Sequence, residues 1–191
     1  MPLDGAAIMR IIAGKAGRIA IKVPPAVARP TTDFVRQAIF SILADRVEQA
    51  RVLDLYAGSG ATGLEALSRG AASCVFVDEH HQACKVIAEN LTKARLDGGR
   101  AVKSDVPAFL KREAGSFDLI FADPPYWKHY GDKDHVGNLL KAGIIAPRLA
   151  ADGLFLAEIS ANQPSPAAED MELTDRREYG GSAILFYTAK P

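Results

Sequence analysis

From residue 51 onward, short apolar runs alternate with longer amphipathic segments, and this alternation constrains the fold more than any other feature of the sequence. The apolar runs predict strands at 51–56, 73–78, 100–104, 117–122 and 153–159. The segments between them predict helices near 61–69, 80–94, 106–113 and 135–150. Such alternation is typical of an α/β fold, a parallel, doubly wound sheet with right-handed crossovers. A strand pair at 171–178 and 183–189 completes the predicted sheet.

The first 50 residues follow a different pattern. Two short strands, at 9–13 and 17–23, predict a β-hairpin around a turn at 14–17. A helix then begins at Thr31-Thr32-Asp33, and we expect it to leave Arg36 available to solvent or ligand. Its buried face is predicted from six apolar residues, Phe34, Val35, Ala38, Ile39, Ile42 and Leu43. We therefore expect one domain, 1–191, in which 1–28 form a hairpin extension and 29–191 form the core.

The composition is that of an ordinary globular domain, with 48% hydrophobic and 24% charged residues. No apolar run approaches the roughly 18 residues that cross a membrane. The first ten residues lack the apolar core of a signal peptide. We therefore expect a cytoplasmic protein without a membrane partner. Cys74 and Cys84 have no spacing typical of a metal site or a disulfide framework, so no metal is expected.

The charge is unevenly distributed, although the formal net charge of the whole chain is zero. Residues 1–51 contain eight Lys or Arg and four Asp or Glu, a net charge of +4, whereas residues 52–191 contain 15 and 19, a net charge of −4. A basic amino-terminal part is consistent with binding to a phosphate backbone. A random scatter of solvated surface charges explains the same distribution about as well.

A glycine-rich loop follows the first strand of the alternating region. Gly58, Gly60 and Gly63 form the pattern G-x-G-x-x-G, which by itself also fits a dinucleotide-binding dehydrogenase. Asp54 separates these interpretations, because a carboxylate at this place repels a pyrophosphate. S-adenosylmethionine has no phosphate and carries an ammonium and a sulfonium. We therefore predict S-adenosylmethionine as the cofactor, bound by Asp54 and by the loop residues Ala57, Gly58 and Gly60.

Further acidic residues come at the ends of the next two strands. Asp78 can accept hydrogen bonds from both ribose hydroxyls, with Glu79 as the competing candidate. Asp105, which precedes Val106, can accept a hydrogen bond from the adenine amino group. These places lie at the carboxyl ends of strands, where open α/β sheets bind ligands. The competing interpretation of any one of these acidic residues is a helix N-cap.

The tetrapeptide Asp123-Pro124-Pro125-Tyr126 follows the apolar run 117–122. Asp123 offers a carboxylate acceptor, and the prolines fix an extended backbone whose carbonyl group can point into a site. Two acceptors on the N–H groups of a planar amine pull its nitrogen toward tetrahedral geometry and stabilise the positive charge that develops there. Tyr126 offers a face for stacking on a base. The motif therefore predicts methyl transfer to an exocyclic amine, and it does not choose between guanine and adenine.

Three segments, 29–36, 54–71 and 123–126, together with Tyr179-Gly180, resemble the RsmD family of bacterial small-subunit ribosomal RNA guanine-N2 methyltransferases. The resemblance extends from residue 9 to residue 188. It implies a class I S-adenosylmethionine-dependent methyltransferase fold, which is Rossmann-like, with a seven-stranded, mostly parallel sheet and an N-terminal β-hairpin extension. It also implies a guanine amine in 16S ribosomal RNA as acceptor, within the small ribosomal subunit or a protein-bound precursor. We expect the protein to be a monomer.

The resemblance also implies roles for residues before the alternating region. Arg29, Thr31 and Thr32 would close over the cofactor, and the hairpin would grip RNA. The candidate RNA-binding residues are Arg10, Lys15, Arg18, Lys22 and Arg36.

Several alternatives remain at this point. An adenine-N6 methyltransferase acting on DNA or RNA would use the same tetrapeptide, although the chain has no evident second domain for reading DNA. A protein glutamine methyltransferase would more often carry Asn at position 123. A non-catalytic RNA-binding assembly factor could retain the cofactor fold, but the intact Asp123 and Tyr126 argue against it. Asp54 makes an NAD-dependent dehydrogenase the least favoured alternative.

Overall fold

The computed structural model describes residues 9–24, 32–125 and 133–191, and seven strands in these ranges form one sheet. The strands are β1 Arg51–Leu55, β2 Ser73–Asp78, β3 Gly99–Lys103, β4 Phe117–Ala122, β5 Leu149–Ser160, β6 Met171–Tyr179 and β7 Ser182–Ala189. The helices are α1 Asp33–Leu43, α2 Ala61–Ser68, α3 His81–Ala94, α4 Val106–Arg112 and α5 His135–Lys141, with short 3-10 helices at Ala44–Val47 and Ala146–Arg148.

The strand order is β3-β2-β1-β4-β5-β7-β6. Strands β1 to β5 are parallel, and β7 is antiparallel to both β5 and β6. The predicted α/β fold, with a seven-stranded and mostly parallel sheet, is confirmed. Because β1 and β4 are central neighbours, the loops after them meet at the middle of the carboxyl edge of the sheet.

Two predicted boundaries near the fifth strand were wrong. Helix α5 ends at Lys141 rather than near residue 150, because Gly143 adopts a φ of 62° and ends the helical path. Strand β5 begins at Leu149 rather than at 153, since its first residues pair irregularly with the start of β4. This irregularity lies at the end of β4 opposite to the carboxyl edge.

Alternate strand residues enter two hydrophobic layers, one on each face of the sheet. Val52, Phe76 and Phe121 belong to the layer beneath α1, α2 and α3. Leu53 and Leu55 belong to the layer beneath α4 and α5. Both faces are therefore covered, which explains the nearly continuous apolar character of the central strands. Among the described residues, no helix is long and apolar enough to cross a membrane.

The amino-terminal segment packs against the first of these layers. Its two predicted strands pair as the expected hairpin, although only Arg10 and Ala20 form a regular antiparallel bridge. The Ile11 N–H donates to the Ile19 carbonyl oxygen at 3.0 Å, and the Ile21 N–H donates to the Met9 carbonyl oxygen at 2.9 Å. The apolar side chains of the segment are part of the hydrophobic core, namely Met9, Ile11, Ala16 and Ile21. The segment is thus attached to the body of the protein by buried apolar surface.

Polar groups of α2 fix the turn of this segment. The fully buried carboxylate of Glu65 accepts hydrogen bonds from the backbone N–H groups of Ile12 at 2.6 Å and Ala13 at 3.0 Å. Gly14 has a φ of 80°, and a Cβ at this position would lie 2.0 Å from the Ser68 carbonyl oxygen. The turn therefore requires glycine in order to approach α2 so closely.

The predicted orientation of α1 was wrong at two positions. Phe34 is 72% exposed, with its ring 6.1 Å from that of Tyr179, whereas Arg36 is fully buried. The Arg36 guanidinium donates to the Arg10 carbonyl oxygen at 2.5 Å and to the Asp33 carboxylate at 2.9 Å. Burial lowers the pKa of Arg36, and the negative charge of Asp33 opposes this shift. Because Arg36 is fully buried between Asp33 of its own helix and the docked segment, it is removed from the candidate RNA-binding residues.

Candidate active site

The loop between β1 and α2, residues 56–60, contains the first two glycines of the predicted pattern, and the third, Gly63, lies in the first turn of α2. Tyr56, Gly58 and Gly60 have positive φ values of 57°, 55° and 77°. The Gly60 N–H donates to the Ala57 carbonyl oxygen at 2.7 Å, and Gly60 is the N-cap of α2. A Cβ on Gly60 would lie 3.0 Å from Ile87 Cγ1, so both space and φ favour glycine. The loop brings the amino end of α2 to the carboxyl edge of the sheet, where backbone N–H groups can meet polar ligands.

Asp54 lies beneath this loop and is only 4% exposed. Its Oδ2 atom accepts a hydrogen bond from the Gly63 N–H at 3.0 Å. Burial raises the pKa of Asp54 to about 7, the Gly63 hydrogen bond opposes this shift, and the nearby charge of Asp78 adds to it. An approaching cation stabilises the ionised form of such a carboxylate. The position therefore suits the ammonium and sulfonium of S-adenosylmethionine and disfavours a pyrophosphate.

Asp78 ends β2 and already organises the loop. Its Oδ2 atom accepts from the Gly58 N–H at 2.9 Å, and its Oδ1 atom accepts from the His80 N–H at 2.9 Å. The His80 ring nitrogen Nδ1 lies 3.0 Å from the same Oδ1 atom. Asp78 is 8% exposed, whereas the adjacent Glu79 is exposed. The assignment of the ribose contact to Asp78, with Glu79 as competitor, stays a prediction.

Asp105 is the N-cap of α4, as the competing interpretation of this residue held. Its Oδ1 atom accepts from the Ala108 N–H at 2.9 Å. A carboxylate has a second oxygen, so this cap leaves an acceptor for the adenine amino group. Val106 packs its side chain in the core, which leaves its backbone for a cofactor contact. Both cofactor contacts stay predictions.

Two aromatic residues to which the sequence assigned no role, Tyr56 and His135, lie near the same acidic side chains. The rings of Tyr56 and His135 meet edge to face, with centroids 5.4 Å apart. Burial raises the pKa of Tyr56, and the charges of Asp105 and Glu79 add to this shift. Burial and the charge of Lys133 lower the pKa of His135, while Glu79 opposes the shift. A bulky residue inside the glycine loop was a usable signal for Tyr56, whereas the sequence contains none for His135.

The acceptor motif follows β4 at the carboxyl edge. The Asp123 N–H donates to the Leu55 carbonyl oxygen at 3.5 Å, which keeps Asp123 beside the end of β1 and the start of the glycine loop. Asp123 is partly buried, Pro124 is buried and Pro125 is exposed. The motif and the glycine loop therefore lie next to each other at the carboxyl edge of the sheet.

Three predicted site residues, Arg29, Thr31 and Tyr126, lie outside the described residues. Thr32 is described and is the N-cap of α1, where its Oγ1 atom accepts from the Val35 N–H at 3.3 Å. The proposed cofactor contacts of the 29–32 segment and the stacking role of Tyr126 therefore stay predictions.

A depression opens beside the two prolines of the motif. His135 of α5 and Glu158 of β5 contribute to its wall. Glu158 is 5% exposed, although it lies in an otherwise apolar part of β5. Gln163 also lines the depression, and its Nε2 atom donates to Asp134 Oδ1 at 3.0 Å. A single acidic residue near the carboxyl end of a buried strand was the signal that could have identified Glu158.

Four predicted RNA-binding side chains are exposed on the amino-terminal segment, namely Arg10, Lys15, Arg18 and Lys22. Lys22 Nζ forms an ion pair with Glu89 Oε2 at 2.6 Å, and both side chains are substantially exposed. Such exposed pairs contribute little to stability, so Lys22 can exchange this partner for a phosphate at small cost.

Comparison with known proteins identifies relatives of the whole described architecture. The family model "Conserved hypothetical protein 95" matches residues 9–188. "Putative rRNA methyltransferase YlbH" of Bacillus subtilis is 36% identical over 186 residues, covering 94% of this chain and 98% of that protein. "Ribosomal RNA small subunit methyltransferase D" of Escherichia coli is 37% identical over 124 residues, covering 64% of this chain and 63% of that protein.

A solved structure shows the same architecture. The structure titled "Putative methyltransferase yhhF from Escherichia coli" superimposes with a TM-score of 0.81 at 31% identity, and the alignment covers 95% of this chain and 98% of that chain.

The sheet order, the glycine loop above a buried Asp54 and the acidic ends of β2 and β3 define a class I S-adenosylmethionine-dependent methyltransferase. The residues fit this cofactor, because the buried carboxylate beneath the loop has a pKa near neutrality that a cationic ligand would lower. The family match over residues 9–188 then shows the particular family: the chain belongs to the RsmD family.

Proposed function

We propose that this protein transfers a methyl group to the exocyclic N2 amine of a guanine in 16S ribosomal RNA, within the small ribosomal subunit or a protein-bound precursor. The names of the two relatives, an rRNA methyltransferase and a ribosomal RNA small subunit methyltransferase, support this substrate. The observation that carries the proposal is the position of Asp123-Pro124-Pro125, which follows β4 beside both the glycine loop and the depression.

One set of residues would hold the cofactor, which supplies an electrophilic methyl group on its sulfonium. Asp54 contributes a buried negative charge, and the loop provides backbone groups at its glycines. Acidic side chains after β2 and β3 are suited to the ribose and adenine. The complete candidate set is Arg29, Thr31, Thr32, Asp54, Ala57, Gly58, Gly60, Asp78, Glu79, Asp105 and Val106.

A second set of residues would hold the target amine. The Asp123 carboxylate and the Pro124 carbonyl group each accept one N–H of the amine, which makes its lone pair available and stabilises the developing positive charge. Proline has no N–H and a fixed φ, so the backbone here stays extended. Tyr126 stacks on the base after the base has left its helical stack, and the depression beside the prolines opens next to the motif.

The exposed basic side chains of the amino-terminal segment would contact the RNA backbone. Arg10, Lys15, Arg18 and Lys22 are all exposed there. The buried Glu65 and the core residues beneath the segment hold it in place, so these charges are carried on a supported surface. Contacts of this kind position the substrate and do not read its sequence.

Methyl transfer to purified small subunits tests this function. Subunits are prepared from a strain that lacks the enzyme and are incubated with the protein and labelled S-adenosylmethionine. Nucleoside mass spectrometry of the 16S rRNA should then find N2-methylguanosine. N6-methyladenosine as the labelled product would show that adenine is the target, and labelled protein instead of RNA would refute an RNA substrate.

A further inference from the structure

We propose that Glu158 selects guanine over other amine-bearing bases by accepting a hydrogen bond from the N1–H group of the target. This inference rests on the proposed function, because it concerns how the same site would distinguish its acceptor base. Nothing in the Asp-Pro-Pro-Tyr motif makes this distinction, since its two acceptors serve the amine alone.

The sheet register places Glu158 beside the catalytic motif. Strands β4 and β5 are parallel neighbours, and Ala122 pairs with Ala157. The next residue on each strand is Asp123 and Glu158, so the two carboxylates leave adjacent backbones at the same edge. Glu158 also lines the depression next to Pro124. A base whose amine reaches Asp123 therefore presents the rest of its edge toward β5.

The burial of Glu158 is unusual for an acidic residue in its surroundings. Its neighbours along β5, Leu156, Ala157 and Ile159, are all buried core residues, and Glu158 itself is 5% exposed. Burying a carboxylate is costly unless it is hydrogen-bonded. Glu158 already interacts within the protein, and a carboxylate has about four lone-pair positions for further donors. It can therefore keep that interaction and also accept a hydrogen bond from a base.

The wall beyond Glu158 is held in place from the edge of the sheet. The Arg176 guanidinium on β6 donates to the carbonyl oxygens of Gln163 at 3.1 Å and Ala161 at 2.7 Å, and to Ser165 Oγ at 3.0 Å. Three hydrogen bonds from one planar group fix the segment that follows β5. The depression thus has a defined shape, as discrimination between similar bases requires.

Base chemistry explains why a carboxylate here favours guanine. The Watson–Crick edge of guanine carries N1–H next to the N2 amine, so it offers donors to two neighbouring carboxylates. In adenine the ring nitrogen next to the exocyclic amine is an acceptor, whose lone pair would face the Glu158 carboxylate. A site that accepts a hydrogen bond from its substrate strongly rejects an analogue without the donor, because the buried acceptor of the site is then left unpaired.

A target with 2-aminopurine separates this selection from catalysis. This base keeps the exocyclic amine of guanine, has a lone pair in place of N1–H and lacks O6. Only the change in preference caused by Glu158→Gln therefore reports on N1–H. The base is placed at the target position by ligating synthetic RNA into 16S rRNA before subunit reconstitution. We expect the unaltered protein to prefer guanine by at least about 100-fold in kcat/KM. Glu158→Gln can present either N–H or C=O, so the preference should fall to about tenfold or less.

Matched variants control for indirect effects. Glu172→Gln makes the same chemical change on an exposed residue at the start of β6, far from the depression. It should leave the preference for guanine unchanged. Glu158→Asp keeps the charge and should keep the preference for guanine, even if the rate falls. Thermal unfolding and cofactor binding confirm that each variant is folded.

The outcomes distinguish this inference from the proposed function. A protein that methylates no guanine in reconstituted subunits refutes the proposed function itself. Methylation of guanine combined with an unchanged preference in Glu158→Gln overturns the role of Glu158 alone. An equal loss on both bases, including complete loss, also overturns it, and so does a Glu158→Asp variant that no longer prefers guanine.

Discussion

Cofactor affinity should rise with pH between about 5.5 and about 7, because Asp54 must ionise before it attracts the cationic groups of S-adenosylmethionine. Burial, the main cause, raises the pKa of Asp54 to about 7 from an ordinary value of 3.8. The protonated form of Asp54 is therefore the favoured one in the folded protein without cofactor at mildly acidic pH. A ligand that requires the charged form must first remove this proton.

The size of the effect follows from the ionised fraction. With a pKa of about 7, about 3% of Asp54 is ionised near pH 5.5 and about half near pH 7, so affinity should increase about 16-fold, or about 1.6 kcal/mol. The stability of the cofactor-free protein follows the opposite trend. Because the pKa of Asp54 is raised in the folded protein, its contribution to the free energy of unfolding is fully present below about pH 3.8. This contribution is lost as pH rises through about 7.

Isothermal titration of S-adenosylmethionine at constant ionic strength measures this dependence, over a range in which the cofactor amino group stays protonated. Asp54→Asn is the matched control, because its amide oxygen can still accept from the Gly63 N–H but cannot ionise. The variant should bind more weakly and with little dependence on pH. Equal slopes in the variant and the unaltered protein would refute the reasoning, as would a flat profile in the unaltered protein.

Three single substitutions and one triple substitution test separate parts of the account. Asp123→Ala should lower kcat by at least about 100-fold, because one amine acceptor is lost, while the dissociation constant of the cofactor changes little. Asp78→Ala should weaken cofactor binding by about 10- to 100-fold in equilibrium dialysis, since its carboxylate also fixes the Gly58 N–H. Glu65→Ala should lower the free energy of unfolding by about 3–5 kcal/mol in urea denaturation, because it removes a buried carboxylate on which two backbone N–H groups and the Arg69 guanidinium depend. A triple variant, in which Gln replaces the exposed Arg10, Lys15 and Arg18, should bind RNA more weakly. The slope of log K against log salt concentration should become smaller by about two to three.

Each of these expectations can fail on its own. Turnover retained by Asp123→Ala would remove the amine-polarising role, and an unchanged cofactor dissociation constant in Asp78→Ala would move the ribose contact to Glu79. A Glu65→Ala variant as stable as the unaltered protein would show that the amino-terminal segment is held by apolar contacts alone. An unchanged salt slope in the triple variant would place the RNA-binding surface elsewhere on the protein.

The main architecture could be predicted because periodicity and strand ends are local signals. The apolar runs located the five parallel strands, and the acidic residues after them lie at the carboxyl edge of the sheet, as expected. Asp54 lies beneath the glycine loop, where its place before the glycines put it, and its contact with the cofactor stays a prediction from electrostatics. Asp105 showed the limit of this approach, because the same residue type serves a helix cap and a ligand contact equally well.

Other features depend on contacts between distant segments and could not be predicted. Helical periodicity predicted that Phe34 is buried and Arg36 is exposed, and the reverse is true. The guanidinium of Arg36 can be buried because the docked amino-terminal segment supplies a carbonyl partner for it. Glu158 lies beside Asp123 only because β5 lies next to β4 in a particular register. His135 meets the Tyr56 ring through the packing of α5, which no local pattern indicates.

The central claim is that Asp123 lies at a site that methylates a guanine amine in 16S rRNA. Nucleoside mass spectrometry of 16S rRNA from cells tests it most directly, using a strain without this protein that is complemented with either the unaltered gene or the Asp123→Ala variant. The account predicts that N2-methylguanosine at one position is absent from the deletion strain, is restored by the unaltered gene and is not restored by the variant. The same N2-methylguanosine content in all three strains would contradict the account, as would its restoration by the variant.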